Sequence, residues 1–155
     1  MVDAGWSSAE WRAVAPATIA HFHARSSVHR PRTEVKLLRS DAGLHVHFRV
    51  RDRYVRVAHV GFQAEVHKDS CVELFVRPGG IGGYLNFEMN AGGSLLASFI
   101  EDWARTPKGF RRCRSLDSKW DERILRFHNL PDRIDPEITR PTDWNIQYTI
   151  PWVLF

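Results

Sequence analysis

The feature that most constrains the fold is a pair of strand-like segments, residues 71–76 and 84–90, separated by a glycine-rich run at residues 79–83. Side chains of a β-strand point alternately to its two sides, so the second segment has one apolar side and one polar side. The apolar side carries Leu85, Phe87, Met89 and Ala91, and the polar side carries Tyr84, Asn86, Glu88 and Asn90. The pattern predicts a hairpin with one face in a hydrophobic core and one face presenting hydrogen-bonding groups.

Strand signals recur along the rest of the chain. The candidate strands are residues 35–38, 44–51, 54–59, 71–76, 84–90, 94–100 and 144–150. Residues 44–51 alternate over their whole length, which predicts that His45 and His47 point into solvent. Residues 9–13 predict one helical turn, and residues 101–135 predict loops with one further strand. About seven or eight short strands with Gly and Pro between them predict an all-β fold, a jelly-roll-like antiparallel β-sandwich.

Length and charge exclude several classes of protein. At 155 residues the chain is predicted to form a single domain over residues 1–155. Its 22 Lys and Arg exceed its 18 Asp and Glu, but apart from residues 111–114 the basic residues are dispersed, so no nucleic-acid partner is predicted. No apolar run approaches the roughly 18 residues of a membrane span. No signal peptide is recognisable, which leaves the cytoplasm as the default location.

Glu73 has the most unusual setting of the polar residues. It lies between Val72 and Leu74 on a predicted central strand, where a carboxylate is costly to desolvate unless it is paired or hydrogen-bonded. One interpretation is an acceptor for two ligand hydroxyls. The other is an ion pair with Arg49 or Arg51. The residues alone leave both open.

Two sequence blocks carry a resemblance to a known family. They are Asp69-Ser-Cys-Val-Glu-Leu-Phe75 and Asn86-Phe-Glu-Met-Asn-Ala-Gly-Gly93, followed near the end by residues 144–152. In this order they resemble the DOMON-like, family 9-type carbohydrate-binding modules. The resemblance implies a β-sandwich that binds a mono- or oligosaccharide without catalysis, of glucan or xylan type, in polysaccharide breakdown. It also implies that the family's C-terminal segment, with a stacking tryptophan, is missing here.

The resemblance also implies a ligand site. Glu73 and Asn90 match the family's sugar-binding Glu and Asn, whereas Glu88 stands where the family has Arg. His67 stands where the family has a stacking aromatic residue. Amides both donate and accept hydrogen bonds, which adds Asn86 from the polar side of the same strand. The predicted ligand-binding set is Glu73, Asn90, Glu88, Asn86, Tyr84, His67 and Trp103, the aromatic members being candidates for stacking on a sugar ring.

No cofactor is predicted to be required. Relatives in the resembled family can hold structural calcium, and Asp52 and Asp69 are the candidate carboxylates here. Histidine pairs such as His45 and His47 have a spacing compatible with a transition metal, but no cysteine or acidic cluster accompanies them.

Two other functions remain open. Facing carboxylates about 5 Å apart are the geometry of a retaining glycosidase, and Glu73 and Glu88 lie on strands expected to be neighbours. The chain could instead be a structural or interaction domain that has lost sugar binding. In that case the apolar residues 152–155 are a candidate edge for dimerisation.

Overall fold

The computed structural model describes residues 5–107 and 109–155. Its strands are β1 (Ala17–Ile19), β2 (Arg32–Ser40), β3 (Gly43–Asp52), β4 (Val55–Val57), β5 (Cys71–Val76), β6 (Tyr84–Asn90), β7 (Leu95–Thr106), β8 (Gly109–Ser115), β9 (Leu125–His128), β10 (Ile134–Ile138) and β11 (Thr142–Ile150). Its helices are α1 (Ala9–Arg12) and α2 (Lys119–Arg123), with 3₁₀ turns at Val66–Lys68 and Trp152–Leu154.

Two antiparallel sheets form a β-sandwich. One has five strands in the order β1-β2-β3-β11-β9, the other has four in the order β5-β6-β7-β8, and β10 and β4 form a two-stranded ribbon. Their inner faces share one hydrophobic core, in which Val46 and Ile146 of the first sheet and Phe87 and Met89 of the second have no exposed surface. The predicted all-β sandwich is confirmed.

The strand content of residues 101–135 exceeds the prediction. β7 continues to Thr106, and the same region contains β8, β9 and α2. β8 is an edge strand in which Arg111, Arg112 and Arg114 are all exposed. Because such a strand has no buried side, it lacks the alternation of apolar residues by which strands are recognised. The helical turn expected at residues 9–13 is confirmed as α1.

The N-terminal segment covers the outer face of the five-stranded sheet. Trp11 is fully buried, and Lys36 donates through Nζ to the carbonyl oxygens of Trp6 at 3.1 Å and Trp11 at 2.8 Å. The ring of His47 lies 5.0 Å from that of Trp6 and 5.3 Å from that of Trp11. The prediction of solvent-facing histidines is therefore wrong, since His45 is 3% and His47 1% exposed.

The arginines of β3 are paired within their own sheet. Arg49 donates to Glu34 at 2.8 Å, and Arg51 lies 3.8 Å from Asp143. Glu73 belongs to the other sheet. The ion pair between Glu73 and Arg49 or Arg51, which the sequence had left open, is therefore not formed.

The last residues fold back on the five-stranded sheet. Trp152 donates through Nε1 to the carbonyl oxygen of Ser40 at 2.7 Å, while Val153 is 76% exposed. Dimerisation through residues 152–155 stays a prediction, as does the assignment of residues 1–155 to one domain.

We expect the buried histidine to make stability depend on pH. Burial lowers the pKa of His47 from 6.5 to about 4, and the charges of Lys36 and Arg49 add to the effect. The unfolded chain therefore binds this proton at a higher pH than the folded chain. Stability present at pH 7 should be lost as the pH falls from about 6.5 towards 4, by roughly 3 kcal/mol. Urea unfolding at a series of pH values measures this.

The variant His47→Gln should flatten that pH dependence, whereas His21→Gln, at an exposed position, should leave it unchanged. A residual slope is expected from His45, whose pKa burial also lowers. An identical slope in the parent chain and in His47→Gln would contradict the assignment.

Candidate functional site

The open face of the four-stranded sheet forms a cleft of about 970 Å³. Its floor consists of Glu73 on β5, Asn86 and Glu88 on β6, and Leu96 and Ser98 on β7. One side of the cleft is formed by the hairpin of β7 and β8. The cleft arises because only the inner face of this sheet packs in the core, and the N-terminal segment, as far as it is described from residue 5 onward, lies on the other sheet.

Two carboxylates lie next to each other on the floor. Glu73 and Glu88 are opposite each other in the antiparallel register of β5 and β6, so their side chains leave the sheet side by side. Glu73 is exposed to water within the cleft. Partial burial nevertheless raises its pKa above the ordinary value, and the charge of Glu88 raises it further, while His67 and Arg105 oppose the shift.

The two carboxylates differ in their protein partners. Asn86 donates through Nδ2 to Glu88 Oε1 at 2.6 Å, and His67 Nδ1 lies 3.7 Å from Glu88 Oε2. Glu73 receives no hydrogen bond from the part of the chain that the structure describes. Glu88 is therefore held in place, whereas the oxygens of Glu73 are available to a ligand.

An aromatic side chain stands beside the carboxylates. Phe75 follows Glu73 by two residues on β5, lines the cleft and is 54% exposed. The ring of Tyr84 packs against it edge-on, with the centroids 5.8 Å apart. Tyr84 is half-buried and supports the exposed ring. The sequence analysis missed Phe75, although the alternation of β5 places it on the same side as Glu73.

The hairpin side of the cleft carries guanidinium groups. Arg105 of β7 lies over the ring of Phe110 of β8, with its Cζ 3.9 Å from the ring centroid. Arg112 and Arg114 of β8 lie 3.9 Å and 2.6 Å from Glu101. We call Arg105, Arg112 and Arg114 the arginine wall. All three were missed, because the residues around them were predicted to be loops.

Asn90 lies at the end of β6 and is fully buried. Its Nδ2 donates to the carbonyl oxygen of His59 at 2.8 Å and to Asp69 Oδ2 at 2.9 Å. Its Oδ1 accepts from the backbone N–H groups of Gly92 and Ser94. The amide therefore braces the turn between β6 and β7 and does not line the cleft.

The sequence model of the protein family described as carbohydrate-binding family 9 matches residues 9–155 of this chain.

The chain belongs to carbohydrate-binding family 9.

A solved structure has the same fold. It is that of a candidate carbohydrate-binding protein from Bacteroides uniformis, with a TM-score of 0.80 and 22% sequence identity. The match covers 93% of this chain and 63% of that one, so this chain spans a little less than two thirds of the length of that relative. A search of the curated proteins found no match. No helix in residues 5–107 and 109–155 is long and apolar enough to cross a membrane.

The cleft brings together part of the predicted family 9 site. Glu73, Asn86, Glu88 and His67 line it, while Trp103, 61% exposed, lies on β7 between two residues that line it. Tyr84 reaches it only through Phe75, and Asn90 lies outside it. The ligand roles of these residues stay predictions.

The candidate calcium carboxylates already accept hydrogen bonds within the protein, and calcium binding stays a prediction. Asp69 accepts hydrogen bonds from the N–H groups of Ala58 and His59 and from Asn90, so donors surround its oxygens. Asp52 accepts from His29 and from two backbone N–H groups. Among the residues described, no three His, Cys, Asp or Glu side chains are grouped as metal ligands.

We expect Asn90 and Glu73 to differ in their effects on stability. Asn90→Ala leaves the backbone N–H groups of Gly92 and Ser94 without this partner in the interior and removes one donor to Asp69, which should lower the free energy of unfolding by about 2 kcal/mol or more. Glu73→Gln removes a carboxylate whose raised pKa shows that folding disfavours its charge. This variant should be as stable as the parent at pH 7, or more stable. Chemical denaturation measures both, and equal destabilisation would contradict these roles.

Proposed function

We propose that this chain is a non-catalytic module that binds a saccharide of glucan or xylan type in the cleft, in the service of polysaccharide breakdown. The observation that carries the proposal is the Glu73 carboxylate, which is open to the cleft and lacks a hydrogen-bond donor among the described residues. A bare acceptor of this kind suits a ligand that brings several hydroxyl donors. Membership of family 9 gives the class of ligand.

The surrounding side chains support the same ligand. Glu88, fixed by Asn86 at 2.6 Å, would accept from a second hydroxyl beside the one bound by Glu73. The Ser98 hydroxyl on the floor both donates and accepts. Phe75 offers an exposed ring for the apolar face of a sugar. Ligand sites generally combine a few polar groups with apolar and aromatic surface in this way.

Hydrolysis is the rival function that one observation favours. The register of β5 and β6 puts Glu73 opposite Glu88, so the two carboxylates are neighbours, and glycoside hydrolysis uses a pair of nearby carboxyl groups. Catalytic carboxylates, however, flank the scissile bond. Glu73 and Glu88 project from the same face of one sheet. This arrangement suits hydrogen bonding to adjacent hydroxyl groups better than placement on opposite sides of a glycosidic bond.

We expect calorimetry with glucose, cellobiose and xylose oligomers to detect binding at millimolar sugar. Glu73→Gln should weaken it about tenfold or more, the usual effect of losing hydrogen bonds to a charged acceptor. Glu137→Gln, at an exposed position on β10, removes the same charge outside the cleft and should bind as the parent does. Absence of heat with every sugar would refute the proposal and leave a structural or interaction domain.

Binding should also weaken on acidification. Since the pKa of Glu73 is raised, its carboxylate takes up a proton at a higher pH than an ordinary glutamate does. The affinity should therefore begin to fall above the pH at which an unperturbed carboxylate titrates, and Glu73→Gln should remove this part of the pH profile. Hydrolysis of an aryl glycoside that disappears in Glu73→Gln would instead favour the catalytic function.

A further inference from the structure

The sugar contacts proposed for Glu73 and Glu88 do not involve the arginine wall. Its guanidinium groups line the same cleft as Glu73 and Glu88, yet they lie on β7 and β8, away from the carboxylates of β5 and β6. Glu101 on β7 also lines the cleft, but the three guanidinium groups outnumber it, so the net charge is negative around Glu73 and Glu88 and positive around the arginine wall. A ligand in this cleft meets acceptors at one end and donors at the other.

Arg105 is the member of the wall best placed for a ligand. Its guanidinium stacks on Phe110, an arrangement that orients the planar group and leaves its N–H edge open. Within residues 5–107 and 109–155, no carboxylate forms a salt bridge with it. An oriented and unpaired guanidinium fits a planar carboxylate through two parallel hydrogen bonds.

The neighbouring arginines strengthen the positive end. A single carboxylate, Glu101, serves both Arg114 at 2.6 Å and Arg112 at 3.9 Å. Arg112 is therefore only weakly paired and lies one strand from Arg105. The three arginines of the wall and Glu101 together carry a net positive charge.

The spacing across the sheet sets the size of the ligand. Neighbouring strands are about 4.8 Å apart, so across the strands Arg105 on β7 and Arg112 on β8 lie on the order of 10 Å and 14 Å from Glu73 on β5. One sugar ring does not span this distance. A ligand that uses both ends needs at least two sugar units, with its acidic group away from the unit that Glu73 holds.

We propose that the cleft selects an acidic oligosaccharide, in which a neutral sugar lies on Glu73 and Glu88 and the carboxylate of a uronic acid unit binds Arg105, with Arg112 beside it. This inference rests on the proposed saccharide binding and adds the class of sugar. A polyphosphate chain does not suit the cleft, because the carboxylates on its floor would repel every further negative charge. A single carboxylate at the wall avoids that repulsion.

Three matched ligands test the proposal by calorimetry at low salt and neutral pH. They are a neutral xylose oligomer, the same oligomer carrying one glucuronic acid, and the methyl ester of that acid, which keeps the shape and removes the charge. We expect the free acid to bind about tenfold or more tighter than the other two. In 0.5 M NaCl, where exposed charges are screened, the preference should shrink.

Variants assign the preference to Arg105. Arg105→Gln should abolish the advantage of the free acid over its methyl ester, whereas Arg105→Lys should retain only part of that advantage. Arg140→Gln, at an exposed position outside the cleft, matches the loss of charge and should have no effect. Thermal unfolding of each variant verifies that it is folded.

The outcomes separate the two proposals. If the neutral oligomer binds and the free acid binds no tighter, or if Arg105→Gln keeps the preference, the acidic-sugar inference is overturned and the saccharide site stands. If none of the three ligands binds, both fall together.

Discussion

Carboxylates on adjacent strands repel each other when the register sets them opposite, and β5 and β6 impose this on Glu73 and Glu88. The fold reduces the repulsion in three ways. Water reaches Glu73, the amide of Asn86 and the imidazole of His67 hold Glu88, and the positive charge of Arg105 acts from across the cleft. The raised pKa of Glu73 shows that the relief is incomplete. A ligand rich in hydroxyl donors would complete it.

The two sheets differ in how far the polar groups on their outer faces are buried. On the five-stranded sheet, Lys36 and His47 are buried beneath Trp6 and Trp11 and have become part of the interior. On the four-stranded sheet, the corresponding face stays open as the cleft. One chain segment thus decides which of two polar faces stabilises the fold and which can meet a ligand.

The sequence predicted the sandwich and the part of the cleft floor on β5 and β6, because alternation within a strand is a local signal, but it did not predict Leu96 and Ser98 on β7. Glu73, Asn86 and Glu88 could be assigned to one face for that reason. Asn90 has the same alternation, but its amide forms hydrogen bonds with Asp69 and with the backbone of the turn between β6 and β7. The alternation of a strand does not predict such contacts. Arg112 and Arg114 were not predicted because β8 has no buried side, and Arg105 was not predicted because the end of β7 was expected to be a loop. His47 is buried by Trp6 and Trp11, which are distant in the chain, so the sequence around His47 does not predict its burial.

The N-terminal residues that cover the five-stranded sheet limit where the chain can be truncated without loss of stability. The family match begins at residue 9, but the ring of Trp6 contacts His47 and Lys36, and its carbonyl oxygen accepts from Lys36. A fragment trimmed to the homologous region would keep Trp11 and lose this outer half of the cover. An ammonium group and an imidazole would then be partly rehydrated, so excision at the homology boundary would yield a weakened product even though every strand had been retained.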